Sequence, residues 1–208
     1  MTQFCFACSI FLPLLAVCTV VISAFILVSH EFDFESSQAQ PYATEPIHAL
    51  YTGFIINQFQ IDDPAFALRL WETTGLKEVI LENETIKDLW GGEPVGLNPN
   101  IRIYRYSKGQ YFDCHYDDSN NLVLDSVPVK TTWTLLLYLT SSAEGCIGGE
   151  TVFYPHDRRS AAEEIAVSLE TGMLLLHKHG DDCLLHEGRE VQDGEKWVLR
   201  TDLCVRRG

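Results

Sequence analysis

The hydrophobic pattern changes character three times along the chain. Phe4 to Ser29 is apolar and carries no charged residue. It exceeds the ~20 residues that a helix needs to cross a bilayer, and it predicts a transmembrane signal anchor over residues 1–30. The run is long for the ~7–15-residue core of a cleaved signal and lacks a clear small-x-small site; cleavage followed by secretion is the alternative. Glu31 to Pro46 is polar and aperiodic and reads as a linker, 31–46. Residues 47–100 read as a helical support region. Asp62-Asp63-Pro64 offers an N-cap and a first-turn proline, Phe66, Leu68, Leu70 and Trp71 follow, and Gly75 is a stop. A second short helix is predicted over Glu84 to Trp90, and Gly91 to Asn100 is turn-rich.

After Asn100 the pattern shortens. Ile101–Tyr106, Thr131–Thr140, Thr151–Tyr154, Ile165–Ser168, Met173–His177 and Lys196–Val205 are β-branched, aromatic or apolar runs separated by Gly, Asp and Asn. Short strands at such spacing predict a mainly β sandwich or barrel over 101–208. Neither a βαβ alternation nor a glycine-rich phosphate loop is present, which disfavours a dinucleotide fold.

Charge changes the picture in one respect. Net charge is −14 across 208 residues, and no Lys/Arg cluster is present, so nucleic acid is not the expected partner. A peptide or small-molecule substrate is. Every charged side chain follows the apolar run, and the acidic flank Glu31, Asp33 and Glu35 leans towards a luminal domain, as in the endoplasmic reticulum. The triplet Asn83-Glu84-Thr85 is a glycosylation sequon. Cys114, Cys146, Cys183 and Cys204 are scattered without a CxxC pair, which disfavours zinc and leaves any disulfide pairing undetermined.

The candidate chemistry lies in His115-Tyr116-Asp117. Alternate residues of a strand share a face, so His115 and Asp117 point the same way. With a second imidazole from a distant strand they would form the facial triad suited to non-haem iron(II).

Four further segments give this pair its context. Tyr106, Gly109, Gln110, Phe112, His115 and Asp117 resemble the motif Y-x-x-G-Q-x-(Y/F)-x-x-H-x-D of the prolyl 4-hydroxylase group. Gly148-Gly149-Glu150-Thr151-Val152-Phe153 is similar to its G-G-E-T-x-F element, and Glu170 to Gly172 resembles its glycine entry to a strand. His186, Val191, Gly194, Lys196 and Trp197 resemble H-x4-V-x-x-G-x-K-(W/Y). The resemblance implies a double-stranded β-helix (jelly roll) that acts as an iron(II)- and 2-oxoglutarate-dependent dioxygenase. It also implies dioxygen as a substrate and ascorbate as reductant.

It implies roles for residues as well. His115, Asp117 and His186 would hold the metal; among His177, His179 and His186, only His186 stands in register with the downstream motif. Lys196 would anchor the far carboxylate of 2-oxoglutarate, with Arg200, on the same face of the same strand, as rival. Tyr138, Tyr106 and Thr134 would line the co-substrate pocket. His115, Asp117, His186 and Lys196 form the expected catalytic set. Peptidyl proline is the substrate that the resemblance implies. The alternatives are the same chemistry on another side chain or metabolite, or a silent jelly-roll binding module. A substrate-selecting loop is expected near Ser119–Val129 or Gly91–Asn100.

Overall fold

The computed structural model describes residues 17–21, as backbone, together with residues 57–82 and 87–207. Strand β1 is Val17–Val21 and β2 Asn57–Asp62. Helices α1 (Pro64–Thr73) and α2 (Leu76–Leu81) and a 3-10 turn at Lys87–Trp90 follow. The remaining strands are β3 Pro94–Leu97, β4 Asn100–Ser107, β5 Phe112–His115, β6 Asn121–Leu124, β7 Val127–Tyr138 and β8 Ile147–Gly148. They continue with β9 Thr151–Tyr154, β10 Ile165–Val167, β11 Met173–Lys178, β12 Leu185–Gly188, β13 Val191–Asp193 and β14 Glu195–Arg206.

Two sheets dominate. The larger runs β1-β11-β7-β14-β4-β2, with β3 beside β14 and β6 beside β7; the smaller runs β10-β9-β12-β5. All pairings are antiparallel. This is the expected mainly β architecture, and two facing antiparallel sheets are consistent with a jelly roll.

Alternation along the central strands divides the core in two. On β7, Trp133, Leu135 and Leu137 join Leu174, Leu176, Leu199 and Leu203 against the helical layer of Phe66, Leu70, Trp71, Leu76 and Ile80. The intervening Tyr138, with Leu175, Val198 and Phe153, belongs to the core on the other side. The larger sheet is covered on both faces, so TTWTLLLYLT reads as one continuous apolar run rather than an alternating one. Trp90 fastens the helical layer to the sheet. Its indole N–H donates to the Ile80 carbonyl at 3.1 Å, and its ring meets Trp133 edge-on at 5.1 Å.

The helix α1 forms where its cap predicts: Asp63 Oδ1 accepts from the Phe66 N–H at 2.9 Å. Helix α2 carries no side-chain cap and went unpredicted. The expected second helix is only the 3-10 turn, with residues 83–86, sequon included, outside the described residues. Both expected substrate loops contain ladder instead. Gly91–Asn100 holds β3 against β14, and Ser119–Val129 holds the β6–β7 hairpin. That hairpin turns at Asp125 and Ser126, both with positive φ (47° and 68°), as a two-residue hairpin loop requires.

The N-terminal run differs from expectation. Val17–Val21 pairs with Met173–His177 at the edge of the larger sheet, so a strand stands where a spanning helix was expected. Periodicity cannot separate helix from strand in an all-apolar run, and the β-branched Val-Cys-Thr-Val-Val segment favours a ladder. The rest of the run lies outside the described residues. No helix among the described residues is long and apolar enough to cross a membrane. Cys114, Cys146, Cys183 and Cys204 are free thiols.

Candidate active site

The site lies between the two sheets. His115 ends β5 and His186 sits on β12 directly opposite it in the ladder, with ring centroids 4.2 Å apart. Asp117 lies beyond the end of β5, so strand alternation alone does not place it. Its backbone is latched instead by the β11–β12 connection. The Gly180 N–H donates to its carbonyl at 2.8 Å, and its own N–H donates to Cys183 Sγ at 3.2 Å. The Asp117 carboxylate nevertheless reaches the expected place, 3.6 Å from both His115 Nε2 and His186 Nε2.

Each imidazole is oriented by its other nitrogen. His115 Nδ1 lies 2.7 Å from the Asp113 carbonyl and His186 Nδ1 lies 2.8 Å from the Leu184 carbonyl. A carbonyl only accepts, so Nδ1 carries the proton and Nε2 presents a lone pair to the site. Burial lowers both pKa values, His186 to about 4, which keeps these lone pairs free at neutral pH. Burial by itself would raise the pKa of Asp117; Arg200, His177, His186 and the Thr134 hydroxyl together outweigh it, and the carboxyl is held well below its ordinary value. Two neutral imidazoles and an ionised carboxylate, gathered on one side of a cavity, fit a non-haem iron(II) centre.

The two competing histidines fall into different places. His177, on β11, is buried, with Nδ1 3.2 Å from the Lys178 carbonyl and Nε2 3.7 Å from Asp117 Oδ2. It stands beside the carboxylate. His179 Nδ1 lies 3.1 Å from Thr134 Oγ1, which itself donates to Asp117 Oδ2 at 2.7 Å. Thr134 therefore acts first on Asp117, a closer role than pocket wall. Cys183 is near enough to His177 and His186 to be a ligand; burial raises its pKa to about 11, so without a metal it is a thiol.

Lys196 occupies the other end of the cavity, on β14. It is 4 % exposed, and Nζ donates to the Gly149 carbonyl at 2.7 Å. Among the described residues no carboxylate is bonded to it, and burial lowers its pKa to about 8. The Tyr106 and Tyr138 rings lie 5.4 and 5.8 Å from Nζ. Two glycines make room here. Gly149 has φ +76°, and a Cβ on it would stand 3.3 Å from Lys196 Cδ; a Cβ on Gly188 would stand 3.6 Å from Nζ. A buried ammonium with one acceptor, beside open space, is a site for an anion.

Tyr106, Thr134 and Lys196 line the cavity together with Thr151, which the sequence reading did not single out. Tyr138 is fully buried behind this wall and donates to Thr151 Oγ1 at 2.7 Å. Tyr138 is therefore a core residue that orients Thr151 and does not itself line the cavity. Arg200 also lines it, but at the metal end: Nη2 bonds Asp117 Oδ1 at 2.9 Å. No local signal announces that pairing, since 83 positions of chain separate the two residues. A third group, Asp113, Cys114 and Glu187, is bridged by Arg159, which pairs with Asp113 and bonds Glu187 at 2.8 Å; it is an ion-pair cluster whose Glu187 also lines the cavity.

Fold and site define a class, and the comparisons agree with it. Residues 101–201 match the family described as 2OG-Fe(II) oxygenase superfamily, whose name carries its metal and its co-substrate. Residues 101–201 are thus similar to the 2OG-Fe(II) oxygenases. The chain is 28 % identical over 158 residues to prolyl 4-hydroxylase 2 of Arabidopsis thaliana, covering 66 % of the chain and 52 % of that relative. It is 29 % identical over 131 residues to probable prolyl 4-hydroxylase 4 of the same organism, covering 52 % and 42 %. It thus spans about half the length of these curated relatives. Among solved structures, the viral collagen prolyl hydroxylase of Paramecium Bursaria Chlorella virus-1 is 21 % identical, with 72 % of this chain and 96 % of that one covered and a TM-score of 0.39.

Proposed function

We propose that this chain is an iron(II)- and 2-oxoglutarate-dependent dioxygenase that hydroxylates peptidyl proline. The observation that carries the proposal is one cavity with two chemically distinct ends: a histidine–carboxylate–histidine cluster and a buried, carboxylate-free Lys196. The cluster suits a metal and the lysine suits an anion, so a metal-chelating dicarboxylate fits both.

In this reading His115, Asp117 and His186 hold the iron, and Lys196 anchors the far carboxylate of 2-oxoglutarate. Thr151 lies beside it, with Tyr106 as the cavity wall. Bound iron with 2-oxoglutarate and dioxygen supplies the oxidising chemistry, with succinate and carbon dioxide as co-products. The protein supplies orientation. The Asp113 and Leu184 carbonyls fix the imidazole tautomers, and Thr134 and Arg200 hold the Asp117 carboxylate. Outer partners of this kind typically contribute about 10–100-fold in metal affinity. The apolar wall of buried Val198 and partly buried Leu136 and Phe112 limits water at the reacting centre. Ascorbate is the proposed reductant. A luminal location in the endoplasmic reticulum is also part of the proposal, supported by the charge-free run and its acidic flank. Full access of protease to the domain in intact microsomes would refute that location.

The pH dependence of co-substrate binding follows from Lys196. Its ammonium form binds a carboxylate and its amine form does not. With a pKa of about 8 in the free site, affinity for 2-oxoglutarate should hold steady at lower pH. It should fall up to about tenfold per unit as pH rises above 8. Titration of the metal-loaded protein between pH 7 and 9.5 reads this directly, and a flat profile would remove Lys196 from the anchor role.

The deciding assay is succinate formation from 2-oxoglutarate by the full chain with iron(II), ascorbate and dioxygen. A proline-rich peptide should stimulate it. Iron-dependent succinate indifferent to the peptide would keep the oxygenase and move the substrate to another side chain or metabolite. No succinate from folded, iron-loaded protein with or without peptide would sink the enzymatic reading.

A further inference from the structure

Arg200 is a second cation in the cavity, and the metal-anchored reading of Asp117 leaves it short of a partner. Its side chain is 14 % exposed, and among described residues its close ionic partner is Asp117, at 2.9 Å. Its Nε has no hydrogen-bond partner; Asp202 Oδ1 lies at 3.9 Å, too far for one. Asp202 commits its Oδ2 to Arg102 at 2.8 Å and to the Asn98 side-chain amide at 3.0 Å, and its Oδ1 is buried without a hydrogen-bond partner, as Arg200 Nε is. Once Asp117 commits its charge to a dication, Arg200 is a buried guanidinium with spare donors beside that dication. Such a charge is costly to bury unpaired.

Its position on β14 shows which anion it meets. Arg200 and Lys196 are four residues apart on one strand and face the same cavity, a rise of about 13–14 Å along the backbone. Their side chains converge from its two ends. Lys196 reaches the end remote from the metal cluster, whereas Arg200 touches an atom of that cluster. A guanidinium also presents a fixed fork that suits a carboxylate better than a point charge does.

We propose that Arg200 is a second anion anchor, which binds the metal-chelating carboxylate of the 2-oxo acid while Lys196 binds the far one. This rests on the 2-oxoglutarate reading above. Two consequences set it apart from a purely structural role. Arg200 should matter for any 2-oxo acid, with or without a far carboxylate. Lys196 should matter only for those that carry one.

The test is calorimetric titration of full-chain protein saturated with Mn(II) under anaerobic conditions, using 2-oxoglutarate and 2-oxobutyrate in turn. Arg200→Gln should weaken both acids by about tenfold or more, and Lys196→Ala should weaken 2-oxoglutarate alone. Arg200→Lys keeps a charge against Asp117 and serves if the glutamine variant does not fold; it should weaken both acids at least about threefold, since it lacks the fork. Either arginine variant binding both acids within twofold of the native protein would overturn the proposal. So would a variant whose whole defect is a loss of Mn(II) affinity, which would make Arg200 a holder of Asp117 only. If the native protein binds Mn(II) but neither acid, the 2-oxoglutarate reading itself fails, an outcome separate from a failure of Arg200.

Discussion

His186→Ala should abolish metal binding, while His179→Ala should leave it close to native. His186 Nε2 faces the Asp117 carboxylate at 3.6 Å, with its tautomer fixed by the Leu184 carbonyl. Its removal leaves one imidazole and one carboxylate of the three-residue cluster. Outer-shell partners commonly cost about 10–100-fold in metal affinity when removed, so loss of a direct ligand should exceed about 100-fold. His179 acts only through Thr134, one step further out, so its loss should cost less than that outer-shell range. Mn(II) or Co(II) titration of the two variants distinguishes them. A dead His179→Ala variant beside an intact His186→Ala variant would reverse the assignment. His177 is the more demanding control, because it lies 3.7 Å from the same carboxylate. His177→Ala should weaken the metal less than His186→Ala does.

Lys196→Ala should lose 2-oxoglutarate and keep the metal. Truncating one partner of a buried, hydrogen-bonded charge pair costs about 2–5 kcal/mol, which corresponds to about 30-fold to several thousand-fold in affinity. The same substitution should cost the free protein little. Its ammonium is buried against one carbonyl, and an incompletely paired buried charge is costly, so its removal offsets the packing lost on truncation. The signature is therefore a split: co-substrate affinity collapses while Mn(II) affinity and thermal midpoint hold. A parallel drop in all three would mean that Lys196 is a packing residue, and the anion site would have to be sought elsewhere.

Much of this architecture is legible in the chain because it is local. The Asp63 cap, the first-turn proline and the stop at Gly75 placed α1 to within a few residues. The runs from Ile101, Thr131, Thr151, Ile165, Met173 and Lys196 all became strands of the two main sheets. The pattern failed where local signals are weak. Helix α2 has six residues and no side-chain cap. The β5 and β12 strands are four residues each, too short for alternation to register. The apolar N-terminal run satisfies a helix and a strand equally well, and five of its residues pair with β11.

The site divides in the same way. The spacing of His115 and Asp117, and that of His186 and Lys196, belongs to single short segments, so the sequence by itself determined those candidates and the chemistry they imply. Which groups surround them is a matter of strands meeting across the fold. Thr151 reaches the cavity beside Lys196 because β9 pairs with β12. Thr134 and Arg200 reach Asp117 because β7 and β14 are neighbours facing β5. Tyr138 shares the β7 face of Thr134 and Leu136 but is buried in the core with Phe153, Leu169 and Val191. Pairwise spacing along a chain fixes which side chains share a strand face. Only the closure of two sheets on each other, driven by burial of both their apolar faces, decides which faces share a cavity.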